Sequence, residues 1–308
     1  MSQNVVTKWP ELKLPYGFQE DKCLAPHALV RSSVFSTLEY SGAAVRPVVV
    51  KTAPLQLSSM SHYRVVQVEG PRLSQSDADV MFWMLARAYR YGAPKNKATV
   101  YFSRAEVLKA LSRKRGGKTD AMLHASLQRL SLAEFHFEER DKVTGEMRPI
   151  VQTRLLESAD VIEDDAKPCD YRVTIADGVA ALLENGSWVG LKAAVRKELA
   201  GDPLALALYA QFESNQKVYA THAETLKGQM GRAGVVLTTD DATSEEVPEK
   251  KKNGMQTSKW LHALTQALKR VEAATKWPEC QIATEKPHIG MVVVRKGNVR
   301  RKPPQKTL

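Results

Sequence analysis

The sequence lacks any apolar run of 18 residues or more, so no segment has the length of a transmembrane helix. Residues 1–10 also lack the apolar core of a signal peptide. The three cysteines, Cys23, Cys169 and Cys280, lie far apart and show no CxxC spacing. Together these absences predict a cytoplasmic protein whose thiols are reduced.

The sequence motifs of common catalytic sites are missing as well. The histidines form no HxH, HxxxH or HExxH pair, so no set of metal ligands is visible. The GGKT of residues 116–119 resembles the end of a phosphate-binding loop, but Ser112 stands where that motif requires glycine. No GxSxG nucleophile motif occurs. We therefore expect no cofactor, no metal and no enzymatic activity.

Positive charge, by contrast, is in excess. The 308 residues include 45 Lys and Arg against 34 Asp and Glu, a formal net charge of +11. Such an excess favours a polyanionic partner such as nucleic acid. A basic surface without any nucleic-acid role has the same composition, so the charge alone does not decide. The length allows two modest domains, each with its own core.

An internal repeat organises the chain. Residues 100–109 (VYFSRAEVLK) and 218–227 (VYATHAETLK) share the pattern V-Y-x-[S/T]-x-A-E-x-L-K. The pattern predicts a short strand, a hydroxyl N-cap at Ser103 or Thr221, and a glutamate that completes a capping box. Residues 123–130 (LHASLQRL) resemble 264–271 (LTQALKRV) in the same way. The second pair is spaced further apart than the first, which predicts an insertion in the second copy.

Each copy is completed by flanking elements in one order: helix, strand, helix, helix and a two-stranded ribbon. This is the order of a winged helix, a helix-turn-helix followed by a β-hairpin. The segments of the first copy are 74–90, 99–102, 104–111, 120–130, 134–139 and 148–155. Those of the second copy are 203–214, 217–219, 222–230, 258–274, 281–283 and 291–294. The sequence therefore predicts an α+β protein made of two tandem winged-helix domains.

The composition along the chain predicts where these domains begin and end. We expect a flexible N-terminus over 1–22, a first domain over 23–158, a linker over 159–170, a second domain over 171–295 and a basic tail over 296–308. A strand over 171–175 is expected to open the second domain. The insertion over 231–256 is rich in charge and poor in apolar residues, which predicts a flexible loop.

The helix predicted over 258–274 carries the strongest candidates for DNA contact. An apolar stripe lies on one face, and the opposite face has amide and cationic side chains without a carboxylate: Lys259, His262, Gln266 and Arg270, with Lys269 at the flank. Glutamine pairs with adenine in the major groove, and arginine or lysine pairs with guanine. Thr257 and Ser258 mark the predicted helix start, where free amides bind phosphate. A merely solvated face is the alternative interpretation.

Two further basic segments are candidates for contact with the phosphate backbone. In the first copy, Arg113, Lys114, Arg115 and Lys118 precede a helix whose outer face carries His124 and Gln128. We expect mainly phosphate contacts there and base reading in the second copy. The tail contributes Arg295, Lys296, Arg300 and Arg301 as a mobile arm that follows the backbone. A tail that serves only solubility has the same composition.

Three stretches carry a resemblance to a known family. The first is Pro26 with residues 31–35 (RSSVF), and the second is residues 70–73 with the predicted helix over 77–85. The third runs from residue 199 through Thr221 to residues 257–260 (TSKW). On these residues the chain resembles the TrfA-type plasmid replication initiators, within the wider Rep group of tandem winged-helix proteins. The resemblance implies binding to repeated origin sequences (iterons), local strand opening and recruitment of the host's replicative helicase. It also implies exchange between DNA-binding monomers and inactive homodimers, through the first domain and with help from chaperones.

Two other functions are compatible with the same domains. A transcriptional repressor or partition-type regulator binds an operator without opening it. A nucleic-acid-coating protein binds without sequence preference. Strand opening on a supercoiled origin separates the initiator from the regulator, and competition with unrelated duplex separates both from the coating protein.

Overall fold

The computed structural model describes residues 8–15, 17–38, 48–49, 63–141, 143–162, 170–232 and 253–297. Most of the predicted insertion and the tail beyond residue 297 lie outside these ranges. Helices and strands are both well represented, so the predicted α+β class is confirmed. In the part of the chain that is described, no helix has the length and apolar character needed to cross a membrane.

The helices of the described residues are α1 (Phe18–Asp21), α2 (His27–Val30), α3 (Gln75–Ala88), α4 (Arg104–Ala110), α5 (Gly117–Leu132), α6 (Gly178–Ala181), α7 (Ala193–Glu198), α8 (Pro203–Glu213), α9 (Ala223–Gln229) and α10 (Asn253–Thr275). A short 3₁₀ helix spans Glu184–Gly186.

The strands are β1 (Lys22–Pro26), β2 (Phe35–Ser36), β3 (Val48–Val49), β4 (Tyr63–Pro71), β5 (Leu73–Ser74), β6 (Ala98–Phe102), β7 (Glu134–Arg140), β8 (Met147–Arg154), β9 (Leu156–Val161), β10 (Tyr171–Ile175), β11 (Trp188–Lys192), β12 (Thr221–His222), β13 (Glu279–Ile282) and β14 (Met291–Arg295).

The first half of the chain is assembled around α3. This helix begins after Ser74, which forms a capping box with Asp77. Its side chains at Val80, Met81 and Leu85 are fully buried. The elements that follow, β6, α4, α5 and the β7–β8 hairpin, occur in the predicted order, with α5 starting earlier than predicted.

A buried carboxylate joins α3 to α5. The side chain of Asp77 is fully buried, and its Oδ1 accepts hydrogen bonds from Ser126 Oγ at 2.6 Å and Arg129 Nη2 at 2.7 Å. Its Oδ2 accepts from the backbone N–H of Ser74 at 2.8 Å. Because a buried charge is costly unless it is paired and hydrogen-bonded, these contacts fix α5 in one position against α3.

The strand over Tyr171–Ile175 forms as predicted, but its neighbours differ from the prediction. It lies between β6 and β9 in one antiparallel sheet, so it completes the first half instead of opening the second. Tyr171, Val173 and Ile175 are buried, and a buried strand needs hydrogen-bond partners on both edges. The strands on the two sides of the predicted linker over 159–170 therefore pair with each other, and β9 extends into the first residues of that linker.

The second half contains α8, β12, α9, α10, β13 and β14. Pro203 occupies the first turn of α8, and Asp202 caps this helix by accepting from the Ala205 N–H at 3.0 Å. In its sheet, β14 lies between β12 and β13 and pairs antiparallel with both.

The two predicted N-caps behave differently. Ser103 caps α4 and accepts from the Glu106 N–H at 3.1 Å, as predicted. The carboxylate of Glu106 lies 2.7 Å from Arg87 in an ion pair. The prediction for Thr221 is wrong: α9 starts one residue later, so Thr221 lies in β12, and its hydroxyl donates to the Tyr219 carbonyl at 3.1 Å. The strand expected over 217–219 is accordingly displaced towards α9.

The described part of the N-terminus differs from the flexible arm predicted over 1–22. Trp9 is 1% exposed and packs edge-on against Tyr89, whose hydroxyl donates to the Pro10 carbonyl at 3.2 Å. Further on, β1 pairs with β11 in the register Lys22↔Lys192 to Pro26↔Trp188. Burial of a large indole offsets much of the entropy lost on ordering, so this segment packs on the core.

The Asp77 cluster generates a stability prediction. We expect Asp77→Ala to lower the free energy of unfolding by about 3–5 kcal/mol, because Arg129 and the other donors lose their buried acceptor. Urea unfolding followed by circular dichroism measures the change. The matched control is Asp160→Ala, which breaks a half-exposed pair with Arg172 and should cost less than about 1 kcal/mol. A loss for Asp77→Ala as small as that of the control would contradict the assignment.

Candidate nucleic-acid interface

The most extended polar face among the predicted contact residues lies on α10. Lys259, His262, Gln266 and Lys269 are all exposed and follow one another along one side of the helix. The opposite side packs inward: Leu264, Ala267, Leu268 and Val271 are at most 1% exposed. The helix therefore presents cationic, imidazole and amide groups to solvent while its apolar stripe holds it on the core.

Trp260 fixes α10 to the preceding helix. Its side chain is 4% exposed, and Nε1 donates to the Ala223 carbonyl at 3.0 Å. The guanidinium of Arg232 lies 5.9 Å from the ring centroid, in cation–π range. The tryptophan of the TSKW stretch is thus a packing residue, and the exposed face beside it carries the polar groups.

Arg270 lies at the edge of this face and has acceptors within the protein. Its Nη1 lies 3.2 Å from Asp202 Oδ2. Its Nη2 donates to the carbonyls of Glu198 at 3.3 Å and Ala200 at 3.4 Å. Helical periodicity places Arg270 at the edge of the polar face, but it does not reveal the α7–α8 turn beside it. Arg270 therefore positions α10.

The expected phosphate site at Thr257 and Ser258 is also corrected. Because α10 begins at Asn253, the amides of residues 257 and 258 lie beyond the first turn, where helix N–H groups already have acceptors. The Ser258 side chain is exposed, and that of Thr257 is outside the description.

In the basic loop of the first half, some cations are exposed and one is bound by neighbouring groups of the protein. Lys114, Arg115 and Lys118 are exposed, and Lys118 lies in the first turn of α5 instead of a loop. Arg113 differs from the prediction, since its Nη2 lies 3.4 Å from Asp79 Oδ2 and donates to the Ser76 carbonyl at 3.2 Å. Three cations of the expected four are therefore available to phosphate.

On α5, His124 and Gln128 contact each other. The His124 Nε2 and Gln128 Nε2 atoms lie 3.1 Å apart. His124 is partly buried and stacks on Tyr171 with the ring centroids 6.3 Å apart. The outer face of α5 thus offers fewer free polar groups than that of α10.

Lys296 is anchored to the fold, contrary to its predicted place in a mobile arm. Its Nζ donates to the carbonyls of Asn215 at 2.7 Å and Glu213 at 3.1 Å and lies 5.6 Å from the Trp277 ring centroid. Burial lowers the pKa of this lysine, although the Glu213 carboxylate acts in the opposite direction. Arg295 is 76% exposed and pairs with Glu279 at 2.8 Å. Arg300 and Arg301 lie outside the described residues.

Two exposed tyrosines were missed as candidates. Tyr101 and Tyr219 occupy the same position of the repeat, and both are 52% exposed. Lys217 Nζ lies 5.1 Å from the Tyr219 ring centroid. The repeat itself contained the signal, because a tyrosine occupies the same half-exposed position in both copies.

In the described ranges, no group of three or more His, Cys, Asp or Glu side chains is placed to hold a metal ion. The exposed groups of the candidate site are cations, an imidazole, amides and aromatic rings, which suit phosphates and base edges.

Comparison with known proteins places part of the chain in a family context. Residues 64–194, less than half of the chain, match the family model of replication initiator protein A. This segment resembles replication initiators. The resemblance to Rep-type initiators stated from the sequence is confirmed by that match. No curated protein matches the chain.

Two solved structures of RctB are similar in outline. The crystal structure of selenomethionine derivatives of its domains 2 and 3 has a TM-score of 0.47 at 12% identity, covering 79% of this chain and 86% of that one. The crystal structure of RctB domains 2–3 has a TM-score of 0.40 at 14% identity, covering 74% and 80%. Both TM-scores are below 0.5.

An exposed lysine and a lysine bonded within the fold should affect the salt dependence of DNA binding differently. We expect Lys269→Ala to reduce the slope of log K against log salt by about 0.9 for duplex DNA, because one phosphate contact is lost. Lys296→Ala should leave the slope unchanged and lower the stability instead. Fluorescence anisotropy between about 50 and 200 mM salt measures both slopes. Identical slopes for Lys269→Ala and wild type would show that this lysine contacts no phosphate.

Proposed function

We propose that this protein is a plasmid-type replication initiator that binds repeated origin DNA through two winged helices. The observation that carries the proposal is the exposed face of α10, which has four DNA-compatible side chains and lies in a helix packed by its opposite face. The family match over 64–194 supports a role in replication initiation. The proposed action is binding, without catalysis or a cofactor.

Strand order supports the winged-helix interpretation of the second half. In a winged helix the strand before the second helix pairs with the last strand of the ribbon, and β12 pairs with β14 in this way. The β13–β14 ribbon then forms the wing, whose turn exposes Lys286 and His288. With α9 and α10 as the helix-turn-helix, α10 takes the place of the recognition helix.

The first half supports a modified version of the same unit. Its order of α3, β6, α4, α5 and the β7–β8 hairpin corresponds to that of the second half. However, β6 pairs with β10 and not with a strand of the β7–β8 hairpin. In the first half, β10 therefore takes the place that the ribbon strand β14 has beside β12 in the second half. Lys114 and Arg115 lie in the turn between the two helices and Lys118 lies in the first turn of α5, where a contact with the DNA backbone holds the unit on the duplex.

The wider activities implied by the family resemblance belong to the same proposal. They are strand opening at an origin, exchange between monomer and homodimer, and contacts with host helicase and chaperones in the cytoplasm. The alternative is a repressor that binds an operator through the same face. Permanganate footprinting on a supercoiled origin separates the two: reactive thymines beside the bound repeats support the initiator, and protection without reactivity supports the repressor.

Base reading by α10 generates a specificity prediction. We expect Gln266→Ala to lower the preference for the origin repeat over unrelated duplex by about 1–3 kcal/mol, because an amide contact to a base edge is lost. Gln128→Ala is the matched control on α5 and should change that preference less. Competition binding at raised salt measures both variants. Retained preference in Gln266→Ala together with lost preference in Gln128→Ala would overturn the assignment of α10 as base reader.

A further inference from the structure

A cleft lies where the two halves of the chain meet. Its walls come from the start of α3, the α4–α5 turn and the α7–α8 turn, and its volume is about 490 Å³. Cavities that hold small molecules in proteins are typically about 300–1,000 Å³. We call this space the junction cleft. Its size alone fits a ligand larger than a few water molecules.

Most of the wall is apolar. Leu111, Met122, Pro203 and Leu206 line it from both halves of the chain. The Cys23 thiol also contributes, and burial raises the pKa of this thiol to about 11, so it adds no negative charge at neutral pH. A ligand in the junction cleft therefore meets an apolar surface over much of its area.

One buried guanidinium lines the same cleft. The side chain of Arg196 is 4% exposed, and its Nε lies 2.7 Å from Asp79 Oδ1. Its Nη1 and Nη2 atoms are buried and have no hydrogen-bond partner among the described residues. Leaving such charged donors without an acceptor is costly, so this site favours an acceptor from outside the described chain.

The charge balance favours a negatively charged acceptor. The carboxylate of Asp79 is shared between Arg196 and Arg113, since Arg113 Nη2 lies 3.4 Å away on the other oxygen. Lys197 is a third cation of the lining. The lining thus holds three cations and one carboxylate, and the planar fork of Arg196 matches the paired oxygens of an acid group.

We propose that the junction cleft binds a small organic anion, with its acid group on Arg196 and its apolar body against Leu111, Met122 and Leu206. Carboxylate, sulfonate and phosphate heads share this chemistry. Because the lining comes from both halves, an occupied cleft bridges the elements that carry α5 and α10. Anion binding in the junction cleft is separate from the proposed binding of origin DNA, and its test uses no DNA. The anion proposal can therefore fail while the proposed DNA binding holds, and the reverse.

The test compares two dyes that differ only in the acid group. The full chain is titrated with 8-anilinonaphthalene-1-sulfonate and with N-phenyl-1-naphthylamine, which has the same rings and no sulfonate. Saturable binding of the sulfonate, about tenfold or more tighter than the neutral dye, is expected, since hydrogen bonds to charged groups are worth about 1.5–3 kcal/mol. Equal affinity for the two dyes, or no saturable binding, would overturn the proposal.

Substitutions then locate the dye. Ala110→Trp fills the cleft from an exposed lining position, and it should weaken sulfonate binding about tenfold or more. The control is Ala121→Trp, also exposed but outside the lining, which should bind as wild type does. Sulfonate binding that survives Ala110→Trp, or that both variants lose equally, would place the dye elsewhere and overturn the proposal.

Arg196→Met tests the head group directly. The affinities for the two dyes should become equal, while Asp79 keeps Arg113 as a partner. Continued preference of this variant for the sulfonate would overturn the role of Arg196. Because loss of a buried partner destabilises a fold, the Ala110→Trp comparison decides the location even if Arg196→Met does not fold.

Discussion

Two carboxylates on α3, one fully buried and one partly buried, hold this helix to its neighbours through ion pairs. Asp77 and Asp79 lie two residues apart and face different neighbours. Asp77 binds Ser126 and Arg129 of α5. Asp79 binds Arg196 of α7 and Arg113 of the α4–α5 turn. Since each carboxylate needs its cationic partners, α3 fixes both the helix that follows it and the start of the second half.

Because some cations bind acceptors within the protein, the net charge overestimates the number of cations that are available to DNA. Arg113, Arg270 and Lys296 each bind carbonyls or carboxylates of the chain itself. They join segments that are distant in sequence, and arginine suits this because its fork contacts two acceptors at once. The lysines of α10 and of the α5 start are different, because their side chains are exposed to solvent. Exposed cations of this kind are expected to affect the salt dependence of binding.

Features encoded within a short stretch were predictable from the sequence. The cap at Ser103, the proline at the start of α8, the β7–β8 hairpin and the apolar stripe of α10 each depend on residues within a few positions. Non-local pairings were not predictable. Nothing in the order of residues shows that Tyr171–Ile175 inserts between β6 and β9, or that Trp9 packs on Tyr89.

In the candidate site, too, local patterns were predictable from the sequence and contacts with distant segments were not. Helical periodicity identified the exposed face of α10 but also included Arg270, whose acceptors come from the α7–α8 turn. The four cations of the loop were recognised as a group, although Asp79 engages one of them. A periodic pattern gives the direction of a side chain on its own helix, and the neighbouring element decides whether that side chain is free.

Photo-cross-linking from α10 tests the central claim most directly. With benzoylphenylalanine replacing His262, irradiation of the complex with origin duplex should give cross-links clustered at one major-groove position within each repeat. The same replacement at Ala273, further along the exposed face, should shift that cluster in register with the helix. Cross-links spread evenly along the duplex, or none from position 262, would contradict the account of α10 as the helix that reads DNA.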